Sequence, residues 1–162
     1  MFEAILAALV TRDIRFVVVG GVAATVHGSV RFTNDIDICY DTAPDNIAQL
    51  VALLTEWSAY LRGVERGLPF VLDARTFSTT PLMTLTTIMG AIDLLDAVPG
   101  VGDYDAAFAK SEPVQIGDTR FRALTLDALI ASKRAAGRKK DREHLIELEA
   151  IRALLQKESR RP

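Results

Sequence analysis

Arg15-Phe16-Val17-Val18-Val19-Gly20-Gly21, followed thirteen residues later by Asp35-Ile36-Asp37-Ile38-Cys39, is the pair of stretches that decides how this chain folds. The first is an unbroken β-branched and aromatic run ending at two glycines, the pattern of a buried strand that turns sharply. Residues 22–27 then read as one or two helical turns. The second stretch alternates, with Ile36 and Ile38 on one face and Asp35 and Asp37 on the other. Residues two apart in a strand lie roughly 6.5–7 Å from each other along the chain, so two carboxylates stand side by side. Such a pair is either a solvated polar edge or a cation site, because adjacent like charges are costly without a neutralising partner. Oxygen-only donors on a rigid strand suit Mg²⁺ and, with the same ligands, Mn²⁺.

The glycines carry a second expectation. A strand that runs into Gly20-Gly21 and a helix brings backbone N–H groups where an anion can approach closely. The pattern is neither a dinucleotide fingerprint, since Val22 and Thr25 stand where that motif needs glycine, nor a Walker A loop. Two-metal phosphoryl or nucleotidyl transfer also needs a third carboxylate. Asp73, Asp93 and Asp96 are available. Asp93 is the choice, because it interrupts the apolar run of residues 88–95, where a charge is expensive and calls for a partner.

Working outward, 162 residues with 49% apolar and 25% charged side chains suffice for a real core. One domain over 1–162 is expected, with the catalytic sheet at about 14–96 and a basic helical segment at about 124–156. Cys39 is the sole cysteine, which excludes a disulfide framework and a cysteine-cluster zinc site. It also fits a reducing, cytoplasmic setting. The longest nearly apolar stretch, residues 16–26, is too short to span a bilayer, and residues near the N-terminus lack a signal-peptide pattern. No membrane partner is expected.

Charge is unevenly spread. Residues 133–162 carry 10 Lys/Arg against 5 Asp/Glu, whereas the first 132 carry 9 against 16. An acidic body with a basic end suits either a solvated helix face or a site with cations on one wall and a polyanion on the other.

The remaining pattern is mixed α/β. Residues 2–10 repeat apolar side chains with a helical period, and residues 44–57 form an amphipathic helix with proline in its first turn. Residues 70–72, 82–87 and 88–95 are strand candidates, and 97–102 is a Pro/Gly loop. Residues 104–110 suggest a short helix. Residues 114–116 and 120–122 form hairpin arms around Gly117-Asp118. Thr125 caps a helix running to about Ala136, Gly137 stops it, and a last helix spans about 139–155.

Gly20-Gly21, His27-Gly28, Arg31, Thr33, Asp35-Ile36-Asp37 and the later Asp93 resemble the signature of the DNA-polymerase-β-type nucleotidyltransferase superfamily. Lys133, Arg138 and Lys140-Asp141 resemble a further motif of its AbiE-type toxin branch (AbiEii and MenT-like enzymes). The resemblance covers about residues 14–40, 88–96 and 124–155. It implies a small mixed sheet flanked by N- and C-terminal helices. It also implies Mg²⁺-dependent transfer of a nucleoside monophosphate from an NTP to an acceptor hydroxyl, with release of pyrophosphate. Asp35, Asp37 and Asp93 are the implied metal ligands and, with Asp141, the catalytic set. Gly20, Gly21, Thr33, Lys133 and Arg138 are the implied nucleotide contacts. The implied setting is a toxin–antitoxin or phage-defence pair, with RNA (a tRNA 3′ end) or a protein as acceptor and a cognate antitoxin as partner.

Two alternatives belong to other classes. One is a non-catalytic binding module of the same fold, against which the retained charges argue. The other is an aminoglycoside-type small-molecule nucleotidyltransferase, disfavoured because no acceptor domain is visible.

Individual residues keep two readings each. Lys133 continues the apolar stripe of Leu126, Leu129 and Ile130, so it either snorkels or points into a polar cavity. Asp141 either complements a helix dipole or acts on substrate. His27 and Arg31 are structural or substrate-facing. Thr33 is either a phosphate donor on the Asp35 face or a simple strand former. Trp57 with Tyr60 reads as packing. Ser29 lacks a nucleophile elbow, and His144 lacks zinc-ligand neighbours.

Overall fold

The computed structural model describes residues 2–160. The chain begins with helix α1 (Phe2–Thr11), strand β1 (Phe16–Val19), helix α2 (Gly20–Val26), strand β2 (Asp35–Tyr40) and helix α3 (Pro44–Glu56). Next come β3 (Tyr60–Leu61), α4 (Ala74–Thr79), β4 (Leu82–Thr87), β5 (Gly90–Leu95), β6 (Ala97–Val98) and β7 (Gly102–Asp103). The chain closes with α5 (Tyr104–Ala109), β8 (Ser111–Ile116), β9 (Thr119–Leu124), α6 (Leu126–Ala136) and α7 (Lys139–Glu158).

Seven strands form one mixed sheet in the order β3-β4-β5-β2-β1-β9-β8, and β6 pairs with β7 apart from it. The α/β class with a mixed sheet flanked by helices is therefore as expected. All four residues of β1 are buried, which is why this run belongs at the sheet's middle. It pairs antiparallel with β2 and parallel with β9. The apolar faces of β2 and β5 meet through Ile36 opposite Ile92 and Ile38 opposite Leu94, all fully buried. Each of these side chains stabilises the fold by about 1.5–3 kcal/mol through burial.

Local chemistry sets the helix ends. Pro44 sits in the first turn of α3, and the buried Asn46 amide ties that turn to Arg15 and Asp41. The Thr125 hydroxyl accepts from Ala128 N–H to start α6, and Gly137 at φ +64° ends it. That left-handed residue turns the chain so that α7 packs back on α6.

Four local expectations are corrected. Residues 70–72 are not a strand: β3 already forms the sheet edge beside β4, and Phe70 packs edge-on against Tyr60 instead. Asp73, one of the carboxylates set aside in favour of Asp93, caps α4 by accepting from Thr76 N–H, and the residue pattern does not anticipate that helix. Residues 88–89 form the turn between β4 and β5, not part of a strand. The 97–102 loop carries the β6–β7 pairing. Among the described residues, no helix is long and apolar enough to cross a membrane.

Candidate active site

The parallel pairing of β2 with β5 does what spacing alone could not, setting Asp37 directly opposite Asp93. Residues paired in register share a face, so Asp35, Asp37 and Asp93 point to one side of the sheet while the isoleucines anchor the other. Asp93 is 9% exposed. Burial and the neighbouring Asp35 and Asp93 push the Asp37 carboxyl up to about 6. Asp93 is likewise raised by burial, although Arg62 pulls the other way. The three carboxylates thus hold more negative charge than their surroundings offset.

Gly20 and Gly21 explain how Asp37 is seated. They form the first turn of α2 rather than preceding it. Gly20 has φ +61°, and a Cβ there would lie 2.1 Å from Asp37 Oδ2. A Cβ on Gly21 would lie 2.7 Å from Thr33 Oγ1. The nearby Gly21 N–H favours the ionised form of Asp37 and partly offsets the effect of burial. Thr33 lies before β2 rather than in it. Its hydroxyl reaches Asp35 Oδ1 and the Asp35 carbonyl, each at 3.1 Å.

The opposite wall comes from α6 and α7. Asp141 is buried, and its carboxylate accepts from Lys133 Nζ at 3.1 Å and from Arg138 Nε at 2.6 Å. Although burial pushes upward, those donors hold the Asp141 carboxyl below its ordinary value. Lys133 therefore points inward, to a buried partner and toward the Asp37 side of the cleft. All nine residues singled out as catalytic, metal or nucleotide contacts line one cleft of about 500 Å³.

The other candidates are accounted for structurally. His27 Nε2 pairs with the Leu124 carbonyl at 2.8 Å. Arg31 pairs with Glu147 at 3.2 Å, and Glu147 also accepts from Ser29 Oγ and Val30 N–H. These contacts fasten the loop before β2 to α7. His144 lies beside Ser29, its imidazole kept neutral to lower pH by burial and by Lys133. Trp57 is in the core.

Arg62 was missed. Its guanidinium donates to Asp35 Oδ2 at 2.9 Å and to Asp93 Oδ1 at 2.6 Å. It follows a two-residue strand and precedes Gly63, so neither period nor motif marked it. The unbalanced acids of residues 35–37 and 93 were the one available signal that a cation must come from elsewhere. Among the described residues, no three carboxylate, imidazole or thiol groups form a ready-made metal cluster. The donor chemistry nonetheless fits a hard divalent cation: all oxygen, in register, and undercompensated in charge.

A search of the curated proteins finds no match. Among solved structures, the chain resembles the antibiotic-resistance factor ANT(2'')-Ia, a nucleotidyltransferase determined in solution. The TM-score is 0.57 and the identity 15%, over 98% of this chain and 90% of that one. At that identity the likeness is one of fold. A family model described as "Nucleotidyltransferase of unknown function (DUF6036)" matches residues 2–155, nearly the whole chain, and the protein accordingly belongs to this nucleotidyltransferase family.

Proposed function

We propose that the protein transfers a nucleoside monophosphate from an NTP to an acceptor hydroxyl, releasing pyrophosphate, with a divalent cation such as Mg²⁺. The observation that carries this reading is the register of Asp37 opposite Asp93 beside Asp35, facing a basic wall across one cleft. Asp35, Asp37 and Asp93 would hold the cation, which supplies charge neutralisation at the phosphate and lowers the pKa of the attacking hydroxyl. Lys133 and Arg138 offer N–H donors to the β,γ-phosphates, and Asp141 fixes both side chains in place. With its carboxylate doubly engaged and its pKa held down, Asp141 suits positioning better than direct action on the substrate. Gly20 admits the Asp37 carboxylate against the backbone, and Thr33 orients Asp35.

The acceptor we favour is RNA, as for a toxin of a toxin–antitoxin or phage-defence pair in the cytoplasm. The basic run of residues 133–142, six Lys/Arg with one Asp, supports a polyanionic acceptor beside the cleft. A small-molecule acceptor is the second reading. Its support is that the chain spans 90% of ANT(2'')-Ia, so the expected lack of an acceptor domain no longer counts against it. Incubation with Mg²⁺ and each α-labelled NTP, against total RNA and separately against an aminoglycoside panel, decides the matter. Label in RNA alone supports the first reading, label in an aminoglycoside the second, and no transfer with any acceptor or NTP removes both.

A further inference from the structure

Arg62 occupies a peculiar position for an arginine. It gives one N–H to each of two carboxylates on different strands, Asp35 on β2 and Asp93 on β5, rather than gripping one carboxylate with both. That is the placement of a bridging cation. A third bond runs from Nη2 to the Leu85 carbonyl at 3.2 Å, while the buried Nε makes no hydrogen bond. One positive charge spans two of three carboxylates, so the cluster stays negative. Asp37 receives no contact from the guanidinium.

We infer that Arg62 is an exchangeable internal counter-ion: it holds the metal-free carboxylates together, and a divalent cation must displace it to bind. This rests on the proposed nucleotidyltransferase reading of the same carboxylates. A guanidinium and a metal ion compete for the same oxygen lone pairs, and Mg²⁺ needs its ligands at about 2.0–2.1 Å, with no room for an arginine between them. The surroundings of Arg62 allow the exchange. Its backbone N–H is pinned to the Thr84 carbonyl at 2.9 Å, so the Cα stays with the sheet while the side chain is free to swing. The side chain is 33% exposed, and Gly63 follows at φ +77° with open space around it. Residues 63–73 contain one isolated bridge, Arg66 with Leu68, and no helix or strand. Departure of the guanidinium breaks ion pairs and leaves the apolar core intact.

The test is Mn²⁺ alone, titrated by the electron paramagnetic resonance signal of free ion into the full chain, with melting curves in parallel. Arg62→Met should bind Mn²⁺ about tenfold more tightly than the wild type, since the ion no longer displaces a charged donor. It should melt lower than wild type without metal, through Asp35–Asp93 repulsion, and gain more than wild type when Mn²⁺ is added. Arg62→Lys keeps a charge that reaches one carboxylate at a time. It should fall between the two, and it decides the matter if Arg62→Met does not fold. Equal or weaker Mn²⁺ binding by the folded variants overturns the counter-ion and leaves the proposed function standing. Failure of every protein to bind Mn²⁺ overturns both.

Discussion

Asp37 of β2 faces Asp93 of β5 in parallel register, and this pairing places like charges on one face of the sheet above the buried Ile36, Ile38, Ile92 and Leu94 of the other. The pairing makes the protonation of Asp37 a property of the fold. Its carboxyl is pushed up to about 6, first by burial and then by Asp35 and Asp93.

A pH-dependent stability follows, and its sign is fixed. The folded state holds this proton more tightly than the unfolded chain does, so ionisation of Asp37 costs stability above about pH 6. The cost disappears as the pH falls through that value toward the ordinary carboxylate range. Asp37→Asn should therefore melt above the metal-free wild type at pH 8, by about 3 °C or more, with the gap narrowing below about pH 6 and closing only at about pH 4, near the ordinary carboxylate value. His144 shifts stability in the opposite direction over this range, so the comparison must be between variant and wild type at each pH. A gap that stays constant with pH assigns the stabilisation to something other than this charge. The same variant should lose nucleotidyl transfer.

Gly20 gives a packing prediction. Alanine there places a methyl 2.1 Å from Asp37 Oδ2 on a residue at φ +61°, combining a steric clash with backbone strain. We expect Gly20→Ala to lose about 1–3 kcal/mol in urea denaturation and to lose transfer, because the carboxylate must move. Gly28, at φ +100° in open space, is the control. Gly28→Ala strains the backbone but meets no atom within 4 Å, so activity should survive. Full activity in Gly20→Ala would show that the close approach is dispensable.

Much of this site could be read from the chain, and the reasons differ from part to part. Gly20-Gly21 and Asp35-Ile36-Asp37 act over short spacings, so strand periodicity sufficed to put both acids on one face. Asp93 was legible because a charge inside an apolar run is expensive wherever the run goes. Arg62 was not, because its role arises from the strand order β3-β4-β5-β2, which only tertiary structure supplies. Residues 70–72 failed for a related reason: their apolar side chains satisfied a strand pattern, but the adjacent edge was already filled. Asp73 with Thr76 was a helix-start signal three residues apart, readable in hindsight from side-chain chemistry alone.

The choice of third carboxylate is separable from everything else. Asp93→Asn should abolish transfer and retain the fold, since the sheet pairing uses backbone groups. Asp73→Asn should retain transfer and melt slightly lower, because its carboxylate caps α4 away from the cleft. Reversal of the two activities, measured with labelled NTP at matched folding, moves the third ligand from β5 to the start of α4.

Lys133 and Asp141 supply the last prediction, and here the structure alters what a simple truncation means. Lys133 bonds Asp141 at 3.1 Å, so Lys133→Met leaves a buried carboxylate with Arg138 as its remaining cationic partner. The loss should be about 1–3 kcal/mol of stability, even if Lys133 never touches nucleotide. Weak NTP binding in that variant would therefore be ambiguous by itself. A double-mutant cycle removes the ambiguity, since Asp141→Asn relieves the stranded charge while keeping the shape. Lys133→Met/Asp141→Asn should recover a melting temperature near that of Asp141→Asn alone. If Lys133 serves the phosphates, nucleotide affinity in the double variant stays below that of Asp141→Asn although stability has returned. If Lys133 only neutralises Asp141, the double variant and Asp141→Asn bind nucleotide alike, and phosphate binding must be assigned elsewhere on the basic wall.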